Sequence, residues 1–166
     1  MKTVRAVRLL ITLVGTVLMV AMFVCIMPAL ASAQKAASIG KSFAQKLVEA
    51  AQANHPEVDE VGISMYTRRG CYGIASTDKS DIGEKCERDD ITPMQTGKSH
   101  VEKEKDGFDV SIPLHDSAGK IIGTLGIGFK TAAGQTAASV TEAAQKIAAE
   151  LEPQISSKAK LFERSE

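Results

Sequence analysis

Tryptophan is missing from this 166-residue chain, and aromatic residues make up only 4% of it. Twenty lysines and arginines balance twenty aspartates and glutamates. A nucleic-acid surface needs a basic stripe with interleaved aromatics, so that class of partner is excluded. Cysteine is scarce as well, with Cys25, Cys71 and Cys86 the only three. They form neither C-x-x-C nor C-x-x-C-H, which removes a thioredoxin-type site and covalent haem. No G-x-S-x-G, no H-E-x-x-H and no cysteine with a recognisable base can be found. His55, His100 and His115 lie apart without ligand spacing. No metal or cofactor is expected, and the chain is not expected to be an enzyme.

What is present begins with an export pattern. Lys2, Arg5 and Arg8 precede an apolar run from Leu9 to Met27, followed by Pro28 and Ala29-Leu30-Ala31-Ser32-Ala33. A charged start, an apolar middle and an A-x-A site in that order read as a signal peptide over residues 1–33, cut after Ala33. The alternative is an uncleaved anchor, because a run of roughly 20 apolar residues can span a bilayer. A lipid attachment at Cys25 is set aside because Val24 stands where a small residue is needed. Removing residues 1–33 takes three basic residues and leaves a net charge of −3. The expected location is periplasmic or secreted, and the remaining length suits one domain with a modest core.

In an oxidising compartment the two remaining cysteines, Cys71 and Cys86, favour one disulfide. Free thiols or a redox or metal role are the alternatives. A bond closing a loop of about 15 residues adds roughly 3 kcal/mol in the chain-entropy account.

Helical spacing of Ile39, Phe43, Leu47 and Ala50 predicts an amphipathic helix over 38–53, ending at Asn54-His55-Pro56. Alternation at Val61, Ile63 and Met65, and the run Tyr72 to Ser76, predict two strands joined through Arg68-Arg69-Gly70. Residues 77–97 read as a polar loop with a short helix near Ile91–Gln95. Val101 to Lys105 and the alternating Phe108, Val110, Ile112 and Leu114 predict a hairpin. A three-residue loop with Gly107 left-handed would place Lys103 opposite Asp109 and avoid setting Glu104 against Asp109, so that register is expected.

Asp116-Ser117-Ala118-Gly119 suits a type I turn leading into a last strand, Lys120 to Lys130. Ile121, Leu125, Ile127 and Phe129 should share one face of that strand, and Ile122, Thr124, Gly126 and Gly128 the other. The glycines Gly123, Gly126 and Gly128 lack the nucleotide-binding spacing. A bare strand face of this kind is expected to let a helix pack closely, ahead of flooring a pocket. Val140, Ala144, Ile147, Leu151 and Ile155 predict a closing helix over 136–162, interrupted at Pro153.

The acids read as solvated faces. Tyr66, Arg68 and Tyr72 on the first hairpin, with Arg88, His100 and Lys103 on the middle loop and third strand, form the candidate ligand-binding set. Aromatics with cations suit a carboxylate-bearing metabolite.

Several segments together resemble the extracytoplasmic Cache sensor domains, whose fold is PAS-like. They are Gly73-Ile74-Ala75-Ser76-Thr77-Asp78, Ile82-Gly83, Gly97-Lys98, Val110-Ser111-Ile112-Pro113-Leu114 and the run from Asp116 to Ile127. The resemblance implies an α+β fold with a five-stranded antiparallel sheet, a long N-terminal helix and a C-terminal helix. The resemblance covers about residues 58–130, and the expected division is a signal peptide at 1–33, an N-terminal helix at 34–57, the PAS-like core at 58–130 and a C-terminal helix at 131–166. It further implies a sensory module that binds a small organic ligand, a carboxylate or an amino acid, here without an output domain of its own. A membrane receptor protein would then be its partner. The competing expectation is a protein-interaction domain that docks a membrane partner without a ligand pocket.

Overall fold

A computed structural model describes residues 41–165. The signal peptide and the start of the N-terminal segment lie outside the described residues. The first helix, α1 (Phe43–Asn54), begins where the Ser42 hydroxyl accepts from the Gln45 amide at 3.1 Å. This satisfies one of the amides left over at any helix start. It ends at His55, whose extended backbone is what the following Pro56 demands. Its buried stripe is Ala44, Leu47, Val48 and Ala51.

Strands β1 (Val58–Thr67) and β2 (Gly70–Ser76) form the first hairpin. After the polar segment comes α2 (Arg88–Thr96), then β3 (His100–Glu104), β4 (Gly107–His115), β5 (Ile121–Lys130) and α3 (Ala137–Leu151). The five strands make one antiparallel sheet in the order β2-β1-β5-β4-β3. This is the expected α+β, PAS-like architecture, with first and last strands adjacent at the centre.

The core lies on one face of the sheet. Val61, Ile63 and Met65 on β1, Leu125, Ile127 and Phe129 on β5, and Val110, Ile112 and Leu114 on β4 are all buried there. Val48 of α1 and Val140, Ala144 and Ile147 of α3 complete the same cluster. Burying each large side chain is worth about 1.5–3 kcal/mol, so this layer carries most of the fold's stability. Ile121 departs from the expected face: a register shift between Leu114 and His115 sets it opposite His115. Its side chain comes near Gly97, at the end of α2.

Helix α2 is longer than the sequence predicts. Asp90 accepts from the Glu87 amide at 3.0 Å, starting the helix three residues early. It closes on Gly97, whose φ of +67° suits a residue without a Cβ and whose amide reaches Pro93. The closing helix stops at Leu151, and Pro153 sits in the 3-10 turn Glu152–Gln154. A further 3-10 turn, Lys158–Phe162, buries Leu161. The Asp116–Gly119 turn has its expected hydrogen bond, Gly119 amide to Asp116 carbonyl at 2.8 Å.

The β3–β4 register corrects the expectation. Glu102, neither Lys103 nor Glu104, stands opposite Asp109, and Lys103 faces Phe108. Lys105 and Asp106 alone form the turn, and Gly107 belongs to the strand. Its glycine serves close approach, since a Cβ there would sit 1.9 Å from the Phe129 carbonyl oxygen. The like charges of Glu102 and Asp109 therefore stand opposite each other in the register the strands adopt.

Candidate functional site

The second face of the sheet is where the bare positions gather. Gly62 of β1, Gly126 of β5 and Ser111 of β4 are adjacent in one row, and Gly128 and Asp109 are paired in the next, with Glu60 across β1. At one end a helix does pack on this face: the Thr124 hydroxyl donates to the Asp90 carbonyl of α2 at 2.5 Å. At the other end it does not. A Cβ added at Gly126 would meet nothing within 4 Å, so here the glycines floor a pocket and the close-packing expectation fails.

Above that floor lies a cavity of about 450 Å³, walled by the Thr77–Glu87 segment and the first turn of α2. Ten carboxylates and a single cation, Lys85, line it. Several acids taken from the sequence as solvated faces are therefore cavity residues. The reason is topological: the polar side of a hairpin is solvated only if nothing folds over it, and residues 77–90 fold over this one. Two carboxyls stand on opposite sides of the bare strand, Glu60 on β1 and Asp109 on β4. Their backbones are two strand spacings apart, about 10 Å.

Both carboxyls hold their protons unusually tightly. The Asp81 carboxyl hydrogen-bonded beside Glu60, together with burial, pushes Glu60 up to about 7. Ser76 Oγ lies 3.1 Å from Glu60 Oε1 and 3.1 Å from Asp81 Oδ2, joining the pair. Asp109 is pushed up to about 6, first by burial and then by the charges of Asp89, Glu104 and Asp90. Carboxylates crowded without a counter-charge take up protons in this way.

The buried Ser76 connects the cavity to α1. The Gln45 side chain donates to its carbonyl at 2.8 Å and accepts from its amide at 3.3 Å.

The wall is fastened to β2 by backbone bonds, Gly73 amide to Glu84 carbonyl at 3.0 Å and Gly83 amide to Gly73 carbonyl at 2.9 Å. The Cys71–Cys86 disulfide, with Cα atoms 5.3 Å apart, completes the attachment. The favoured reading of the cysteine pair is thus what the structure contains.

The six residues singled out from the sequence are not gathered in this cavity. Tyr66, Arg68 and Tyr72 lie on the β1–β2 hairpin, at one edge of the sheet, with Tyr66 43% exposed. Lys103 lies on the opposite edge strand, on the core side of the sheet by its pairing with Phe108. Arg88 and His100 do meet, in a neighbouring open recess with Thr92 and Glu102. That recess shares Glu87 and Asp89 with the acidic cavity. Among the described residues no group of three or more His, Cys, Asp or Glu could hold a metal ion. No helix of the described residues is long and apolar enough to cross a membrane.

No protein-family model matches the chain. No curated protein matches it. Solved structures do resemble it. A type II free methionine-R-sulfoxide reductase from Thermoplasma acidophilum is similar with a TM-score of 0.50 at 16% identity, over 74% of this chain and 96% of that one. A GAF sensor protein from Burkholderia vietnamiensis has a TM-score of 0.49 at 12% identity, over 70% and 76%. The sensor domain of E. coli DcuS has 0.39 at 20% identity, over 62% and 71%. At such identities the likeness to the reductase is one of fold, the α+β architecture with a five-stranded antiparallel sheet.

Proposed function

We propose that this chain is an exported sensory module of the Cache type that binds a small cationic ligand such as an amine. The observation that carries the reading is the acidic cavity on the glycine-bare face. A concave site whose charged groups are nearly all of one sign selects ligands of the opposite sign. Such a lining disfavours a simple carboxylate, so the ligand class expected from the sequence shifts to an ammonium group, alone or on an amino acid. The disulfide supports an extracytoplasmic setting. A membrane receptor would read the bound state from the surface of α1, which Gln45 ties to the cavity wall.

Thermal-shift measurements on the oxidised chain test this. Amines at a hundred times their dissociation constant should stabilise by about 2.7 kcal/mol, and succinate or citrate should not. Stabilisation by carboxylates alone would reject the cationic ligand, and none by any small molecule would favour the protein-docking alternative.

A further inference from the structure

Every residue from Thr77 to Thr92 keeps some exposure, and Ile82, the large apolar side chain at the middle of the cavity wall, is 43% exposed. The wall has no apolar anchor in the core. The sheet and its two covering helices, by contrast, bury their side chains in a cluster to which this wall contributes nothing. What holds the wall is a handful of hydrogen bonds to β2, a pair between Thr77 and Val61 of β1, and the one covalent bond, Cys71–Cys86, across a sequence separation of 15 residues. The approach is close: a Cβ on Gly73 would sit 2.5 Å from the Asp81 carbonyl oxygen. Both cysteines are partly exposed.

We propose that the Cys71–Cys86 disulfide is a redox latch on the acidic cavity, opened by an external dithiol; its effect on ligand affinity rests on the cationic-ligand reading above. One thiolate of the dithiol attacks a sulfur of the disulfide, forming a mixed disulfide and expelling the other sulfur as a thiolate. The second thiol of the reductant then displaces the remaining cysteine and closes the reductant's own disulfide. Two electrons and two protons pass to Cys71 and Cys86, which end as thiols, and the dithiol ends oxidised. With the loop no longer closed, segment 77–87 regains the freedom the bond had removed from it. Its hydrogen bonds then open locally while the core stays folded. Asp81, Glu84, Lys85 and Glu87 leave the cavity rim with it, and the site loses both its shape and the Asp81 partner of Glu60.

The test uses the full chain, oxidised and after treatment with dithiothreitol without denaturant. Alkylation mapped to the Cys71 and Cys86 peptides confirms the reduced state. Hydrogen exchange should quicken at least about tenfold at Gly83, Glu84 and Cys86, with β1, β4 and β5 unchanged. A Cys71→Ser/Cys86→Ser double variant should behave as the reduced chain does. Unchanged exchange in the wall, or acceleration of the whole sheet together, would overturn the latch, the second result leaving a purely structural staple. Titration with 1,4-diaminobutane adds the ligand arm, with binding expected to weaken about tenfold or more on reduction. Equal affinity in both states overturns the gating. Failure of the oxidised chain to bind the diamine rejects the cationic ligand instead, and exchange alone then decides the latch.

Discussion

Glu60→Gln tests the electrostatics of the cavity directly. In the folded chain the Glu60 carboxyl gives up its proton near 7, against an ordinary 4.5. Between those values the folded state holds a proton that the unfolded chain has released. Stability therefore falls as pH rises from about 4.5 to about 7 and levels off above. At about 1.4 kcal/mol per pH unit the full effect would be about 3 kcal/mol. Glu60 is only partly buried, so solvent screening reduces this to about 1–2 kcal/mol. Glutamine keeps a neutral partner for Ser76 and Asp81 at every pH. Urea unfolding of parent and variant between pH 4.5 and pH 8 should show the variant gaining on the parent by about 1–2 kcal/mol across that interval. A difference that stays constant with pH, or a gap moving in the parent's favour, would refute the crowding of Glu60 by Asp81.

Asp109→Asn should act in the same direction in a lower window, from about 4 to about 6, because burial is its main cause; the same unfolding series reads it, alongside loss of amine stabilisation. Two glycine substitutions should separate sharply in thermal melts. Gly126→Ala places its Cβ in open space and should change stability by less than about 1 kcal/mol, whereas Gly107→Ala collides with the Phe129 carbonyl and should cost several times more. Leu125→Ala, at a position with no exposure in the centre of the core, should cost about 2–5 kcal/mol with the exchange pattern of the wall unaltered.

Much of the scaffold was legible before any coordinates. The Pro56 stop of α1, the Asp116–Gly119 turn, the Pro153 interruption and the alternation along β4 and β5 are local rules acting on local residues. The disulfide followed from an even cysteine count in a chain expected to be exported. The site was harder because it depends on which side of a hairpin becomes covered. Asp109 alternates correctly with Phe108 and Val110, yet nothing local says that its polar side is roofed. The available signal was the pairing of two features, glycines on neighbouring strands (Gly62, Gly126, Gly128) and an acid-rich stretch from Asp78 to Asp90 long enough to fold back. Tyr66, Arg68 and Lys103 were chosen by chemical type, but the strand order sends β2 and β3 to opposite edges and so parts them. Gly107 was misread because a glycine after Asp suggests a left-handed turn residue, while the real constraint came from β5, more than twenty residues away.

The central claim, a cation-binding cavity on the bare face, is tested most directly by calorimetric titration of the oxidised chain with 1,4-diaminobutane near pH 6.5, in two buffers of different ionisation enthalpy. The diamine should bind the parent with release of protons from Glu60 and Asp109, so that the measured heat depends on the buffer, and Gly126→Leu, which fills the cavity, should abolish it. Binding that is independent of buffer and survives Gly126→Leu, or no binding at all beside clear binding of a carboxylate, would contradict the claim.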